Sequence, residues 1–470
     1  TDEGVTWEQI SPDLTAFRPE RQMESGGPIT RDITGEEHYS VIYAIEESPV
    51  ASGVIWAGAN DGPVHVTRDG GNTWKDVTPP DMPPEGRIQT IDPSPHDAAK
   101  AYFAGYRTLL GDFRPFIYKT EDYGESWTLL TPGDNGIPSH HPTRAVREDP
   151  VREGLLYAGT EFGMFVSFDD GGSWEQFQFN LPRTPITDIK VHQNDLVLST
   201  MGRAFWIMDN ITPLRQGGEA IEFGPNFLEP LDAYRIRGGG GGGGSPDQPR
   251  YSRRGAELDY MLDDDANSVR IEIMDEAGSV LRSFEGPGSG TPAPTLHRGL
   301  NRFVWDLTVP GPNGAARGGP TVVPGTYMAR LTVDGRQQTR SFEVLMDPRV
   351  AADGVTVTDL QEQFDLGIQI RDAIEDADAT IERLEGAMRR VSEGSDVEAQ
   401  LKEIADALVT DRSISSYPQP MLRDQLNYLS GNSQRADQKP GEDMYERLEV
   451  LVAELEAHKV RLQRLIRLVI

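Results

Sequence analysis

Thr67-Arg-Asp69-Gly-Gly71-Asn-Thr-Trp74 returns as Thr120-Glu-Asp122-Tyr-Gly124-Glu-Ser-Trp127 and again as Ser167-Phe-Asp169-Asp-Gly171-Gly-Ser-Trp174. The shared pattern is S/T-x-D-x-G-x-x-W. A truncated copy, Asp2-Glu-Gly4-Val-Thr-Trp7, opens the chain without the leading Ser/Thr. Asp and Ser/Thr side chains bond neighbouring backbone amides, Gly supplies a positive φ, and Trp folds back beside the turn, so each copy describes a tight hairpin. Four of the seven tryptophans stand in these copies, which makes the repeat the main signal for fold.

Outward from each copy, short strands recur in the same order. Val41–Ile45, Val54–Gly58 and Val64–Thr67 lead into the first full copy, and Lys75–Thr78 leaves it. Ile88–Ile91, Ala101–Ala104, Phe116–Thr120 and Trp127–Leu130 surround the second; Ala145–Arg147, Leu155–Gly159, Met164–Ser167 and Trp174–Phe177 surround the third. A last unit, Ile186–Val191, Leu196–Thr200 and Ala204–Asp209, carries no copy. Trp-to-Trp steps of 67, 53 and 47 residues suit four-stranded units with loops of varying length.

The motif resembles the Asp-box, or BNR repeat, of β-propellers such as sialidases, xyloglucanases and the sortilin luminal domain. The resemblance implies propeller blades with the box in the hairpin between the third and fourth strands. Residues 1–222 then hold about three and a half blades, and the chain starts inside one. The rest of the ring is expected from a missing N-terminal portion, a companion chain or a second copy.

Residues 223–349 read as a poly-Gly linker, Gly238 to Gly244, followed by a small β-sandwich. Val269, Ile271 and Ile273 alternate with Arg270 and Glu272; Val280–Phe284, Arg302-Phe-Val-Trp305-Asp306-Leu307 and Pro324-Gly-Thr-Tyr327 complete the pattern. The last two resemble the immunoglobulin-like module of extracellular bacterial proteins. Residues 350–470 turn helical: Leu360, Phe364, Gly367, Ile374, Ala377, Ile381, Leu384 and Met388 share a stripe, opened by a Thr358-x-x-Gln361 capping box. Ser395-x-x-Glu398 opens a second helix, and Leu422–Leu429 and Met444–Ile470 follow, so a bundle of three or four helices is expected. His458 lies on the last seam as a packing residue.

Composition removes several functions. The 45 basic and 75 acidic residues give a net charge of -30, the wrong sign for a phosphate-tracking nucleic-acid binder or a polybasic membrane-surface protein. The acidity is spread along the chain, and 7 lysines against 38 arginines point to a salt-adapted surface or a GC-rich genome. With no cysteine there are no disulfides, thiolate metal sites or cysteine nucleophiles. No apolar run approaches the roughly 20 residues that span a bilayer. Neither a signal peptide nor an initiating Met is present, so a processed or unresolved N-terminus is expected.

Blade topology assigns the loops to sides. The loops between second and third strands, and the links from one blade to the next, project opposite the boxes. They carry Asp61, Tyr106, Arg107, Arg114, Glu161, Phe162 and Arg203, with Arg18, Arg21, Glu24, His38, His140 and His141 in the links. Arginines clamp carboxylates bidentately and aromatics stack on sugars, while Asp61 and Glu161 have the residue types of an acid/base pair. His140 and His141 need a third ligand to hold a metal, and none is marked by spacing. Asp263-Asp264-Asp265 could hold calcium in the sandwich, but the triplet lacks the regular ligand spacing of a calcium loop, so a solvated turn and no cofactor are expected. No nucleophile elbow for a Ser/His/Asp arrangement appears.

Ile10-Ser-Pro-Asp-Leu-Thr15, Gly26-Gly-Pro-Ile-Thr30, Gly154-Leu-Leu-Tyr-Ala-Gly-Thr160, Asn180-Leu-Pro182, Phe205-Trp-Ile207 and Asp347-Pro-Arg349 together resemble the C-terminal half of a bacterial family of sortilin-like BNR proteins, often labelled glycosyl hydrolases. That implies an exported protein: secreted, periplasmic or on the cell surface. Relatives often carry a histidine where this chain has Met201, which counts against acid/base chemistry there. The expected function is a non-catalytic binding or scaffold protein recognising a peptide, glycan or partner subunit through the rim. Two other readings stay open: a glycoside hydrolase using Asp61 and Glu161 with Arg107, Arg114 and Arg203 as clamps, and a structural subunit of a larger assembly.

Overall fold

Strands that are buried on both faces need near-continuous apolar or small residues, and the second strand of each of the first three repeat units has them. The computed structural model describes residues 4–22, 39–217, 225–237, 254–286, 292–413 and 418–469. Asp2, Glu24, His38 and the glycines Gly238 to Gly244 lie outside the described residues. The chain divides into two compact units, Thr1–Ala220 and Ile221–Ile470.

In the first unit, β1 (Ile42–Glu47), β2 (Ile55–Ala59), β3 (Val64–Thr67) and β4 (Lys75–Asp76) form an antiparallel meander. So do β5 (Arg87–Pro93), β6 (Ala101–Tyr106), β7 (Phe116–Thr120) and β8 (Thr128–Leu129), then β9 (Thr143–Glu148), β10 (Leu156–Thr160), β11 (Gly163–Ser167) and β12 (Glu175–Gln176). A fourth sheet has three strands, β13 (Ile186–His192), β14 (Asp195–Thr200) and β15 (Phe205–Met208). The first strand of each sheet packs on the first strand of the next, which is the radial stacking of propeller blades. Trp56, Phe103, Tyr102 and Tyr157, all on the central strands, fill the spaces between blades with no exposure. The short helix α1 (Thr212–Gln216) follows, and Arg215 Nε donates to both oxygens of fully buried Asp149 at 2.9 and 3.0 Å.

The repeated motif staples these blades in two ways. Within the turn, the Thr67 hydroxyl donates to Asp69 Oδ1 (2.8 Å) and accepts from the Gly71 N–H (2.9 Å), while Asp69 accepts from Thr73 N–H (2.8 Å). Thr120, Asp122, Gly124 and Ser126 repeat this set, as do Ser167, Asp169, Gly171 and Ser173. Between blades, Trp74 Nε1 donates to Ile10 O at 2.8 Å, Trp127 Nε1 to Val77 O at 2.6 Å and Trp174 Nε1 to Leu130 O at 3.0 Å. Each acceptor stands three residues after the tryptophan of the preceding copy.

The motif glycines press on those same residues. A Cβ on Gly71, Gly124 or Gly171 would come within 2.7 Å of Ile10 O, 2.6 Å of Val77 Cβ or 2.6 Å of Leu130 Cδ1. Their φ values of +97, +82 and +87° independently favour glycine. In the truncated copy Gly4 keeps φ +83°, but Trp7 is 91% exposed and clamps nothing among the described residues.

The second unit contains β16 (Asn226–Phe227), β17 (Ala233–Arg235), β18 (Ala256–Leu262), β19 (Val269–Asp275), β20 (Val280–Gly286), β21 (Gly299–Trp305), β22 (Gly325–Val333) and β23 (Arg336–Met346). They form two sheets, β16-β18-β21 and β17-β23-β22-β19-β20, antiparallel except for the β17–β23 pair. Both sheets contribute to one apolar cluster centred on Tyr260, Ile271, Ile273, Trp305 and Ala329. Helices α2 (Pro348–Ala352), α3 (Val357–Met388), α4 (Asp396–Leu408), α5 (Leu422–Ser433) and α6 (Glu442–Val469) follow, the last four around a second apolar cluster.

The capping box of α3 lies two residues earlier than the sequence pattern placed it. Thr356, with extended φ and ψ, caps the Asp359 N–H, and the Asp359 carboxylate returns to the Thr356 N–H at 2.9 Å. Thr358 is already helical, and a cap must stand outside the helical conformation. Ser395 caps α4 as expected, and His458 is half-buried on α6. Buried Arg235 joins β17 to Asp437 (2.9 Å) and to Gln363 Oε1 of α3 (2.8 Å). Among the described residues no helix is long and apolar enough to cross a membrane.

Candidate binding rim

The loop between second and third strands is held by the link that enters its own blade. Asn60 N–H donates to Val41 O (2.9 Å), Glu161 N–H to Pro142 O (3.0 Å) and Met201 N–H to Pro185 O (3.0 Å). This repeated bond brings loop and link side chains onto one rim, and it gathers the candidate residues into separate groups.

Around Glu161, the Tyr106 hydroxyl donates to Oε1 at 2.8 Å and Arg144 Nε donates to the same oxygen. Arg144 also donates to the Tyr106 hydroxyl at 3.0 Å and lies over its ring at 4.5 Å. Burial raises the Tyr106 phenol above its ordinary pKa, with the Glu161 bond acting the same way, so the hydroxyl remains a donor. Arg144 was not singled out in the sequence, because position two of β9 reads as an ordinary strand residue.

Beside this group, His140 and His141 stack edge to face at 4.8 Å, His141 meets Phe162 at 4.7 Å, and the Arg183 guanidinium stands over Phe162 at 5.2 Å. His141 is buried and its Nδ1 has no hydrogen-bond partner among the described residues. Burial first, then the nearby His140 and Arg183, depress its pKa, so the ring is neutral at pH 7. Arg183 has no ion pair among the described residues and was missed in the sequence; its only signal was its place in a link, directly after Asn180-Leu-Pro182. The two histidines pack on aromatics, and among the described residues no three His, Cys, Asp or Glu side chains gather to hold a metal. In the second unit Asp263, Asp264 and Asp265 are exposed, and Asp265 accepts the Arg298 N–H at 2.7 Å.

Arg107 and Arg114 share Asp112. Arg114 binds it bidentately at 2.9 and 2.8 Å and Arg107 reaches it at 3.2 Å, while Arg107 also donates to Pro83 O at 2.9 Å. The Arg114 guanidinium, outweighing burial, holds Asp112 down at about 2. Asp61 is buried: its Oδ2 accepts the Ala16 and Phe17 N–H groups at 3.0 and 3.2 Å, and Oδ1 has no partner among the described residues. Arg18 and Arg21 both bind Glu85, at 2.7 and 2.9 Å. Arg203 is exposed on the fourth blade, where its N–H bonds Thr200 Oγ1 at 3.2 Å and its guanidinium has no ion pair among the described residues.

These blades and this loop rim define a propeller-class protein, mainly β with helices at the C-terminal end. The chain matches no family model and no curated protein. Solved structures similar to it include YCF48 from Cyanidioschyzon merolae, at 16% identity over 36% of this chain and 53% of that one, TM-score 0.27. The GH74 xyloglucanase from Xanthomonas campestris is 14% identical over 66% of this chain and 39% of that one, TM-score 0.28. PorZ, a surface component of the type-IX secretion system of Porphyromonas gingivalis, is 15% identical over 67% and 47%, TM-score 0.30. The chain thus spans about half the length of the YCF48 structure it matches.

Proposed function

We propose that this chain is an exported, sortilin-like recognition protein. Its rim opposite the Asp-boxes binds an acidic group on a peptide, glycan or partner subunit, with an immunoglobulin-like sandwich (223–349) and a helical bundle (350–470) as docking modules. The observation carrying this reading is how the rim charges are distributed. Asp61 and Glu161 are engaged by backbone amides and by Arg144 with Tyr106, whereas Arg183 over Phe162, and Arg203, have no carboxylate partner among the described residues. A bidentate carboxylate with an apolar neighbour suits the first of these.

Titrating the protein with peptide and oligosaccharide panels, each with its carboxylates free or amidated, tests the reading. Arg183→Ala and Phe162→Ala should each weaken binding about tenfold, roughly 1.4 kcal/mol. Equal binding of the amidated ligands would sink it.

A second reading is supported by the Tyr106–Glu161 bond itself. Some retaining sialidases use a tyrosine nucleophile, and here Tyr106 donates to Glu161 beside Arg144. If the chain is such a hydrolase, aryl-sialoside or polysaccharide turnover should vanish in both Tyr106→Phe and Glu161→Gln. Asp61, buried against backbone amides, should then be replaceable by Asn with activity retained.

A further inference from the structure

In three blades a short loop joins the second strand to the third, at residues 60–63, 161–162 and 201–204. Blade two places the longer segment 107–115 there, between β6 and β7. Its backbone is firmly braced. Thr108–Leu110 make a single 3-10 turn, closed by Gly111 at φ +75°, with the Leu110 N–H bonded to Arg107 O at 2.8 Å. Beneath the turn Arg107 and Arg114 both hold Asp112, and Arg107 also holds Pro83 O. Yet the loop carries its apolar side chains outward: Leu109, Leu110 and Phe113 are 79, 46 and 54% exposed. Three exposed large apolar side chains within five residues, on a backbone fixed by ion pairs, gain nothing for the fold itself and mark a contact surface.

Both feet of this loop are tied to blade three. At its start the Tyr106 hydroxyl donates to Glu161, the chain neighbour of Phe162. At its end the Thr143 hydroxyl accepts the Phe116 N–H and donates to Phe116 O, each at 3.0 Å, and Thr143 stands two residues after His141. The apolar loop therefore rises from the seam that also carries His141, Phe162 and Arg183.

We propose, resting on the carboxylate-binding reading of Arg183, that the 107–115 loop is the apolar half of the same site and that its ligand is a peptide presenting one carboxylate beside a bulky aliphatic side chain. Arg183, without a carboxylate partner among the described residues, takes the acidic group, and Leu109 with Leu110 takes the neighbouring side chain. Branched aliphatic groups shed water against another apolar side chain, but they offer a sugar neither a flat face for stacking nor a hydrogen bond. Charge points the same way. A chain of net charge -30 repels a polyanion such as a polyuronate, whereas a single carboxylate on an otherwise neutral peptide meets little of that field. Because the loop is already braced, little conformational entropy is lost on docking against it.

Calorimetric titration of the whole chain with acetyl-Gly-Leu-Glu-Leu-Gly-amide is expected to show binding about tenfold tighter than with acetyl-Gly-Ser-Glu-Ser-Gly-amide. The double variant Leu109→Ser with Leu110→Ser, changed only at exposed positions, should lose that preference while its affinity for the serine peptide and its melting temperature stay as in the parent. Arg183→Ala should weaken both peptides alike. Equal binding of the two peptides by the parent, a leucine preference that survives the double variant, tighter binding of trigalacturonate than of the leucine peptide, or no binding of the leucine peptide would each overturn the proposal. Failure of the underlying carboxylate reading looks different: acetyl-Gly-Leu-Gln-Leu-Gly-amide would bind as tightly as its Glu counterpart, with the leucine preference still lost in the double variant, which would leave the loop's selection of the aliphatic side chain upheld.

Discussion

Blades three and four stand side by side, built on the same meander, yet their outer halves differ. In blade three the Ser167–Trp174 motif locks its own turn and drives Trp174, 4% exposed, against Leu130 of blade two. In blade four no motif follows β15, its one tryptophan, Trp206, donates within its own strand loop to Arg203 O, and an apolar cavity remains beside Phe177. What holds blade four is instead the inner strand: Arg147 donates to Ile189 O (2.9 Å) and Asp188 (3.1 Å) on one side, and to Ile91 O (2.9 Å) and Asp92 (3.3 Å) on the other. The seam of blades two and three is closed at its periphery by an indole and a glycine and at its axis by Arg147, whereas between blades three and four it is the same guanidinium that reaches across. The motif therefore acts as a seam between blades as much as a turn within one.

The sharpest way to break this contrast is to remove the indoles. Trp174→Ala should cost about 3–5 kcal/mol of unfolding free energy and Trp206→Ala, half-buried in a looser setting, less than half as much. Guanidinium midpoints of the two variants measure the difference, and equal losses would mean that the motif adds nothing between blades.

Next in size is the glycine of the seam. Gly124→Ala adds a Cβ 2.6 Å from Val77 at φ +82°, and the overlap together with left-handed backbone strain should cost about 2–4 kcal/mol. Gly70→Ala, at φ +70° but facing open space, should cost only about 1 kcal/mol. Thermal unfolding of the pair separates packing from backbone strain.

The axial seam should show itself through pH. Burial, against the pull of Arg147, pushes Asp92 up to about 6 in the folded chain, compared with about 4 when unfolded. The folded state therefore binds the proton more tightly. Its contribution is complete below pH of about 4 and lost as pH climbs past about 6, at most about 3 kcal/mol. Asp92→Asn should match the parent near pH 4 and exceed it at pH 8, and a melting series across that range checks the sign.

The smallest effect is expected at the truncated copy: with Trp7 exposed, Trp7→Ala should change the stability of an isolated chain by under about 0.5 kcal/mol.

The sequence announced the boxes through residues that act locally. A Ser/Thr, an Asp and a Gly within five positions close their own turn whatever surrounds them, and alternation of apolar residues marked the strands on either side. The helical bundle was legible for a similar reason, its stripes having a single period, although the α3 cap moved to Thr356 because hydrogen-bond reach and an extended backbone, not spacing alone, choose a cap. The rim residues were a different matter. Asp61, Tyr106 and Glu161 were visible as residue types in loops, but no pattern tied Arg144 to Glu161 or Arg183 to Phe162. A guanidinium declares its partner only when distant segments meet.

By itself, then, the chain specified its turns, strand order and helices, because those interactions lie within one turn, one helix or a pair of consecutive strands. The tertiary structure alone decided which carbonyls the motif indoles of Trp74, Trp127 and Trp174 reach and that Tyr106 meets Glu161, because each of these depends on groups tens of residues apart being brought within a few ångströms.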